Sequence, residues 1–293
     1  MVELEQLITE QPNKKSANFS EMSLEQQINT MNDENMNAVR CLESQTTKIK
    51  RVIMETSAAL KKGGRLIYIG AGTSGMIGWL DALECPPTFG TEPEKVLGLL
   101  AGGVDGFSNA RVEDHKENGK ADLERIALTE NDMVVGLAAS GRTPYVLGAL
   151  EYAQNVGAKT AAVVCNPNSL IAKMCPLTIE AVAGPEVLTG STRLKAGTAT
   201  KLVCNMISTL SMAQLGKVYK NYMVDVQLSN EKLIDRGVRI VCETIGCTRA
   251  EAVSLIQSAD GQIKTAIVMG KKGCSKSYAK ALLDKADGRI EAV

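Results

Sequence analysis

The N-terminal part of the chain shows the hydrophobic periodicity of helices. Ser23 and Gln26 have the spacing of a capping box, which predicts that a helix begins after Ser23. Between about residues 33 and 62 the apolar residues recur mostly by threes and sevens, which predicts one long helix with a single apolar face. Gly63 then follows two lysines, as is typical of a helix C-terminus.

The pattern changes at Arg65 to short runs of apolar and β-branched residues. Five such runs predict strands at Leu66–Ile69, Val96–Leu100, Met133–Ala138, Thr160–Cys165 and Leu177–Val182. Helical periodicity between and after them predicts helices at about 75–84, 107–125, 144–156 and 193–215. Strands that alternate with helices indicate an α/β domain, in which helices cover both faces of a five-stranded parallel sheet.

The last part of the chain, from about residue 230, shows no strand pattern. Thr248 and Glu251 form a second capping box, and glycines divide the segment into short helical stretches. This pattern predicts a compact module of three or four helices. We therefore expect three parts: an N-terminal helical arm (1–62), an α/β domain (63–229) and a C-terminal helical module (230–293).

The charge balance and the aromatic content limit the classes of partner. Lys plus Arg and Asp plus Glu are 33 each, so the formal net charge is zero and no broad field attracts nucleic acid or a membrane surface. Aromatic residues make up 3%, which argues against stacking platforms for bases. No run approaches the roughly 18 apolar residues of a membrane span. We expect neither a nucleic-acid nor a membrane partner.

The cysteines indicate a reducing compartment. Eight of them are scattered along the chain, and no secretory signal stands before them. Free thiols in the cytoplasm are therefore the expected state. No CxxC pair occurs and His115 is the single histidine, so no metal site is predicted.

The first predicted strand runs into the glycine-rich turn Gly70–Gly75, which has the spacing GxGxxG. A dinucleotide site would also need an acidic residue after the second strand, but Ala101-Gly102-Gly103 stands there. The turn instead offers Gly72, the hydroxyls of Thr73 and Ser74, and backbone N–H groups at a helix N-terminus. These groups suit a single phosphate. The alternative is a tight turn with a serine cap and no ligand.

A second loop repeats this arrangement after the third predicted strand. Ser140 and Thr143 supply hydroxyls, Gly141 permits close approach, Arg142 adds a cation and Pro144 suits a first helical turn. Loops at the carboxyl ends of strands in one parallel sheet should face one crevice. Together the two loops predict a site for a phosphorylated small molecule.

A third polar loop, Gly184–Lys195, leads into the helix predicted at 193–215. Ser191 or Thr192 is expected to cap this helix. Glu186 and Lys195 are additional candidates to line the crevice.

Two glutamates stand near these loops in the sequence. Glu84 ends the helix predicted at 75–84, which Cys85-Pro86-Pro87 should stop. Glu113 lies in the helix predicted after the second strand. Residue pattern alone favours a solvated helix charge for each of them.

These segments together resemble the sugar isomerase (SIS) domain and, more closely, the N-acetylmuramic acid 6-phosphate etherase family. The resemblance rests on Gly70–Gly75, Asp81–Thr88, Ala139–Tyr145 and Gly184–Lys201, and it covers nearly the whole chain. The runs ECPPT and GPEVLTGSTRLKAGTATK are far more specific than any GxGxxG. The resemblance implies an SIS-type, flavodoxin-like three-layer fold, with phosphosugar binding in the domain at 63–229.

Enzymes of that family convert N-acetylmuramic acid 6-phosphate to N-acetylglucosamine 6-phosphate and D-lactate during cell-wall recycling. By resemblance, Glu84 is the proton donor and Glu113 the second catalytic glutamate, with Glu117 as the fallback. Gly72, Thr73, Ser74, Ser140, Gly141, Arg142, Thr143, Glu186 and Lys195 are the expected substrate-binding residues. A carboxylate pair with separated pKa values suits elimination of lactate followed by addition of water, and no cofactor is needed.

Two other functions remain open, a phosphosugar isomerase and a non-catalytic phosphosugar sensor like the related glucokinase regulatory protein. We also expect a homodimer. A continuous helix would place Glu84 about 15 Å beyond Ser74, too far for one hexose phosphate. Either the helix breaks early, near Gly78, or Glu84 serves the substrate of the partner chain. The apolar face of residues 33–62 is a candidate dimer surface, unless it packs on its own sheet.

Overall fold

A computed structural model of the protein describes residues 6–103 and 110–293. They form two compact units, one within residues 1–83 and 94–208 and the other within 84–93 and 209–293. None of the helices in these described ranges combines the length and apolar character needed to cross a membrane. The division at residues 62 and 229 stays a prediction.

The N-terminal arm is helical, but it contains two helices where one was expected. Helix α1 spans Leu24–Arg40 and begins with the predicted capping box of Ser23 and Gln26. Helix α2 spans Thr46–Lys61. The prediction of one helix from 33 to 62 is wrong, because polar side chains between the helices bond to nearby carbonyls. Ser44 donates to Cys41 O (3.3 Å) and Thr46 to Glu43 O (2.9 Å), contacts that compete with the helical pattern.

All five predicted strands are present in a single sheet. They are β1 (Leu66–Gly70), β2 (Val96–Leu100), β3 (Met133–Leu137), β4 (Lys159–Val164) and β5 (Thr178–Glu180). Every pair is parallel and the order is β2-β1-β3-β4-β5. The predicted five-stranded parallel sheet is therefore confirmed, with the strand order of flavodoxin-like folds.

Four α-helices connect these strands, and a fifth follows the last strand. They are α3 (Gly72–Phe89), α4 (Lys116–Arg125), α5 (Pro144–Val156), α6 (Leu170–Met174) and α7 (Lys195–Gln214). Helix α5 has the predicted bounds, whereas α6 was not predicted because five residues are too few to show a helical period. The start of the helix predicted at 107–125 falls partly outside the described residues, and a 3-10 turn at Ala110–Asp114 precedes α4.

The expected stop at Pro86 and Pro87 is wrong, because α3 continues to Phe89 with both prolines inside it. Each proline lacks an N–H donor, but its carbonyl still accepts. Gly90 N–H donates to Pro86 O at 2.9 Å.

Alternate residues of β1 show the layers on the two faces of the sheet. Ile67 and Ile69 belong to the core cluster that includes residues of α4 and α5. Tyr68 points to the other face, where its hydroxyl donates to Cys204 O in α7 at 3.1 Å. On that face, a Cβ at Gly78 of α3 would lie 2.7 Å from Tyr68 Cβ. The sheet is thus the middle layer between two layers of helices, as expected.

The second unit holds a short hairpin and four helices in its described residues. The hairpin pairs β6 (Val218–Tyr219) with β7 (Tyr222–Met223). The helices are α8 (Glu231–Ile245), α9 (Arg249–Ser258), α10 (Ile263–Lys272) and α11 (Lys276–Lys285). Thr248 and Glu251 form the predicted capping box. The hairpin was not predicted, because two-residue strands leave no alternating pattern.

A buried ion pair joins the starts of β1 and β3. Asp132 Oδ1 accepts from Arg65 N–H (2.9 Å), and Oδ2 accepts from Arg65 Nη2 (2.7 Å) and from Thr129 N–H (2.9 Å). Burial by itself would raise the pKa of Asp132. The hydrogen bonds from Arg65 and Thr129 outweigh it, so the pKa lies below its ordinary value.

Asp132→Asn should lower the free energy of unfolding at pH 7 by about 1–3 kcal/mol, because Arg65 and the Thr129 N–H lose a buried, charged acceptor. The pKa in the folded state lies below that in the unfolded state. The contribution is therefore complete above the unfolded pKa of about 4, and it disappears as the pH falls through the folded pKa. Urea unfolding of both proteins from pH 7 downward measures the difference. It should shrink in acid.

Glu124→Gln is the matched control, because it removes the same charge from an exposed pair with Lys120 (3.5 Å). An exposed pair contributes about 0–1 kcal/mol. Equal losses in the two variants would contradict a special role for Asp132.

Candidate active site

Two candidate loops lie side by side because β1 and β3 are neighbours in the sheet. Gly70, the last residue of β1, is paired in register with Leu137, the last residue of β3. From β1 the chain passes to β2 on one side, and β3 lies on the other side. This is the switch point at which ligands bind in open α/β sheets.

The first loop leads directly from β1 into α3. Gly72, Thr73 and Ser74 form the first turn of α3, where backbone N–H groups have no partner inside the helix. The hydroxyls of Thr73 and Ser74 make no hydrogen bond within the described part of the chain, and both side chains are partly exposed. The loop therefore presents donors at the N-terminus of an 18-residue helix.

The second loop, Ser140–Thr143, leads from β3 into α5. Gly141 has φ +66°, and a Cβ there would lie 2.3 Å from the side chain of Ser169, so no larger residue fits. Ser140 Oγ accepts from Arg142 N–H at 3.3 Å. Thr143 occupies the N-cap position of α5, but its side chain makes no cap hydrogen bond.

The third loop is closed by Glu186, which the sequence did not predict as a cap. Its buried carboxylate accepts from the N–H groups of Lys195 (3.2 Å) and Ala196 (2.9 Å) and so satisfies the first turn of α7. Ser191 and Thr192 were the expected caps, but among the described residues neither side chain makes such a bond. A residue nine positions earlier reaches the helix because the loop folds back.

Lys195 lies in a buried ion pair. Its side chain is 1% exposed and its Nζ bonds to Glu34 of α1. Glu34 also accepts from Lys15 (3.0 Å) and from Asn13 Nδ2 (2.8 Å). Burial would raise the pKa of Glu34, but the hydrogen bonds from Lys195 and Lys15 lower it to about 2. Gly184, Lys195 and Glu34 line a cavity of about 350 Å3.

The beginning of α7 also borders the first loop. A Cβ at Gly197 would lie 3.7 Å from Thr73 Cγ2. The prediction that Glu186 and Lys195 contact the substrate stays a prediction.

The two candidate glutamates have different surroundings. Glu113 is half-buried in the 3-10 turn after β2, and that turn packs against α5, the helix that follows the Ser140 loop. Burial, and then the adjacent charge of Asp114, raise the pKa of Glu113. The fallback Glu117 is exposed in the first turn of α4.

Glu84 is exposed in α3, ten residues beyond Ser74. The helix is continuous at Gly78, so the early break considered above does not occur. Ten residues of regular helix extend about 15 Å.

The structure adds polar residues that sequence analysis missed, namely Thr9, Asn13, Glu34 and Asn166. All four are buried, and the first two belong to the irregular segment before α1. Periodicity carried no signal for Thr9 and Asn13, because the described residues before α1 form no regular element longer than a 3-10 turn.

Family models describe the class of this fold and site. The SIS domain matches residues 116–210, and the N-terminal SIS domain of glucokinase regulatory protein matches residues 45–154. The C-terminal lid domain of glucokinase regulatory protein matches residues 220–264. The structure of a phosphoheptose isomerase from Neisseria gonorrhoeae superposes with a TM-score of 0.50 at 14% identity, over 65% of this chain and 100% of that one. The α/β part is thus an SIS domain.

Relatives of high identity define the family more closely. An N-acetylmuramic acid 6-phosphate etherase from Bacillus mycoides is 51% identical over 268 residues, which is 91% of both chains. One from Francisella tularensis is 52% identical over the same shares. The chain belongs to the N-acetylmuramic acid 6-phosphate etherase family.

Proposed function

We propose that this protein cleaves the D-lactyl ether of N-acetylmuramic acid 6-phosphate. The products are N-acetylglucosamine 6-phosphate and D-lactate. The observation that carries the proposal is the 51% identity to etherases over nine-tenths of both chains. The adjacent hydroxyl-bearing loops at the β1–β3 switch point support a phosphosugar as the ligand.

In this proposal the phosphate lies between the first turn of α3 and the Ser140 loop. Thr73, Ser74, Ser140 and Thr143 donate hydroxyl hydrogen bonds, and Arg142 supplies a positive charge. The backbone N–H group at Gly72 adds a donor that needs no side-chain ordering. Anions are stabilised at a helix N-terminus by such donors and by the helix dipole.

The chemistry begins from the ring-opened sugar, in which the C1 aldehyde acidifies the C2 hydrogen. The Glu113 carboxylate takes that proton, and the C2–H electrons form a C2=C3 double bond. The C3–O bond breaks, and the lactyl oxygen takes a proton from Glu84. Water then adds at C3 while C2 regains a proton. The raised pKa of Glu113 supports its role, because a carboxylate of higher pKa is a stronger base.

The protein is proposed to be a homodimer in which Glu84 serves the substrate of the partner chain. The continuous helix α3 supports this, because a hexose phosphate at Ser74 does not span about 15 Å. Helix α2 buries its apolar face on its own sheet, so that face is not the dimer surface. Helix α1 instead exposes apolar side chains for a second copy, namely Leu24, Ile28, Met36 and Val39.

We place the reaction in the cytoplasmic catabolism or recycling of cell-wall amino sugars. The substrate carries a phosphate, which keeps it within a membrane-bound compartment. All eight cysteines are free thiols in the structure, as suits a reducing compartment.

Replacing either glutamate should separate chemistry from binding. Glu84→Gln and Glu113→Gln should each lower the rate of lactate release about 100-fold or more, while N-acetylglucosamine 6-phosphate still binds. Glu113→Gln should also stop exchange of the C2 hydrogen with solvent deuterium. Asp114→Asn should move the acid limb of the pH–rate profile to lower pH, because it removes a charge that raises the pKa of Glu113.

Normal deuterium exchange in Glu113→Gln would assign the base to another residue, with Glu117 and Glu186 next to be tested. Incubation of the wild-type protein with the muramyl substrate distinguishes the etherase from the two alternative functions, because only the etherase releases lactate. An isomerase would convert a phosphosugar without releasing lactate, and a sensor would bind it without turnover.

Phosphate binding is tested by removing single hydroxyls. Ser74→Ala and Ser140→Ala should each weaken binding of N-acetylglucosamine 6-phosphate by about 1.5–3 kcal/mol, the range for a charge-assisted hydrogen bond. Ser44→Ala, in the exposed turn between α1 and α2, is the control and should bind normally. Calorimetry measures the affinities, and unchanged binding in both loop variants would refute the assignment.

A shared site predicts complementation between inactive chains. A Ser74→Ala/Ser140→Ala double variant and Glu84→Gln are mixed under conditions that let subunits exchange. Hybrid dimers carry one intact composite site, so lactate release should partly return. If mass spectrometry confirms exchange while activity stays absent, Glu84 acts within its own chain.

A further inference from the structure

Thr9 and Asn166 form a buried two-bond contact between the N-terminal segment and the turn after β4. Thr9 N–H donates to Asn166 Oδ1 at 3.3 Å, and Asn166 Nδ2 donates to Thr9 Oγ1 at 3.0 Å. Each residue is 1% exposed. Because 157 positions separate them, only tertiary folding brings this complementary pair together.

The same two residues hold two of the three candidate loops. Asn166 Nδ2 also donates to Ala139 O at 3.0 Å, and Ala139 directly precedes Ser140. On the other side, Thr9 O accepts from Gly190 N–H at 3.2 Å in the third loop. The Thr9–Asn166 pair therefore connects the Ser140 loop to the loop that leads into α7.

Further bonds attach the N-terminal segment to the third loop. Asn13 Nδ2 donates to Pro185 O at 2.9 Å, and Ser16 Oγ donates to Val187 O at 2.8 Å. Asn13 also contacts Glu34, the partner of Lys195. The third loop is thus fixed at several points. Through the Thr9–Asn166 pair, Ala139 is hydrogen-bonded to this fixed part of the structure.

We propose that Thr9 and Asn166 are positioning residues, which hold the Ser140 loop in the geometry that binds the substrate phosphate. The proposal rests on the phosphate site given under the proposed function. Neither residue needs to touch the phosphate. Their effect passes through Ala139 O to Ser140, and a small displacement of that hydroxyl weakens a charge-assisted hydrogen bond.

Two features of the loop support a positioning role. Gly141 is packed so closely on Ser169 that the loop has little room to shift without losing contacts. Gly141 O accepts from Ile171 N–H at 2.9 Å, so the loop is held after Ser140 as well as before it. Ala139 O also accepts from Cys165 N–H at 2.9 Å, so loss of the Asn166 bond would loosen this end of the loop without releasing it.

The test removes the Thr9 hydroxyl without changing the side-chain shape. Thr9→Val should raise the Kd of N-acetylglucosamine 6-phosphate about two- to tenfold, the range for one neutral hydrogen bond. It should raise KM for the muramyl substrate in parallel and leave kcat within about twofold. Thr9→Ser restores the hydroxyl and should bind like the wild type. If Thr9→Val does not fold, Thr9→Ala removes the same hydroxyl and takes its place.

Thr56→Val is the matched control, because Thr56 is buried in α2 and its hydroxyl has no hydrogen-bond partner in the described residues. It makes the same substitution away from the loops and should leave Kd unchanged. Equal Kd values for Thr9→Val, Thr56→Val and the wild type, with the Thr9 variant folded, would overturn the proposal.

A double-mutant cycle with Ser140→Ala tests the route of the effect. If Thr9 acts through the Ser140 loop, Thr9→Val should change Kd much less in the Ser140→Ala background than in the wild type. Strict additivity of the two changes would show that Thr9 affects binding by another route, and the proposal would fall.

Hydrogen–deuterium exchange without ligand separates this proposal from the proposed reaction. Amides of residues 139–143 should exchange faster in Thr9→Val than in Thr56→Val, whether or not the protein releases lactate. If the amides exchange faster in Thr9→Val but the wild type releases no lactate, the proposed reaction is refuted and the positioning role stands. If exchange in Thr9→Val is unchanged while the wild type releases lactate, the positioning role alone is refuted.

Discussion

The pairing of β1 with β3 is the constraint on which the candidate site depends. Both strands end at the same level, with Gly70 opposite Leu137, so the chain leaves them into adjacent loops. Those loops carry Ser74 and Ser140, which are 66 positions apart in the sequence and lie in neighbouring loops only through this register. A slip by one residue would exchange the two faces of a strand, and in β1 it would take the Tyr68 hydroxyl away from Cys204 O. Asp132 and Arg65 secure the opposite ends of the same two strands.

Around this sheet, buried polar contacts define the positions of the loops, which apolar packing does not. Apolar burial is non-directional, so it holds helices against strands without defining where a loop ends. Glu34 and Lys195, and Thr9 and Asn166, are directional pairs that define single positions for the loops after β5 and β3. Breaking a buried ion pair from one side costs about 3–5 kcal/mol, because the remaining charge is left without a partner. The N-terminal segment is therefore part of the site's architecture although it has little regular structure.

The two glutamates proposed as catalysts have different surroundings. Glu113 is half-buried beside Asp114, and both effects raise its pKa, as suits a base that removes a weakly acidic C–H proton. Glu84 lies on the exposed side of a continuous helix, where an oligomeric partner can supply the rest of its environment. The proposed cross-chain site follows from helix length and not from any contact within one chain.

Local sequence pattern by itself determined the five strands, the helix at 144–156 and both capping boxes, because each depends on residues close in sequence. The family resemblance, resting on runs such as ECPPT, named the candidate catalytic residues that periodicity left as ordinary helix charges. Tertiary structure alone decided the cap that Glu186 supplies to α7. It also decided the pairing of Thr9 with Asn166. Each of these depends on hydrogen-bond partners that local pattern does not specify, since a side chain selects among acceptors only after the chain has brought them within reach.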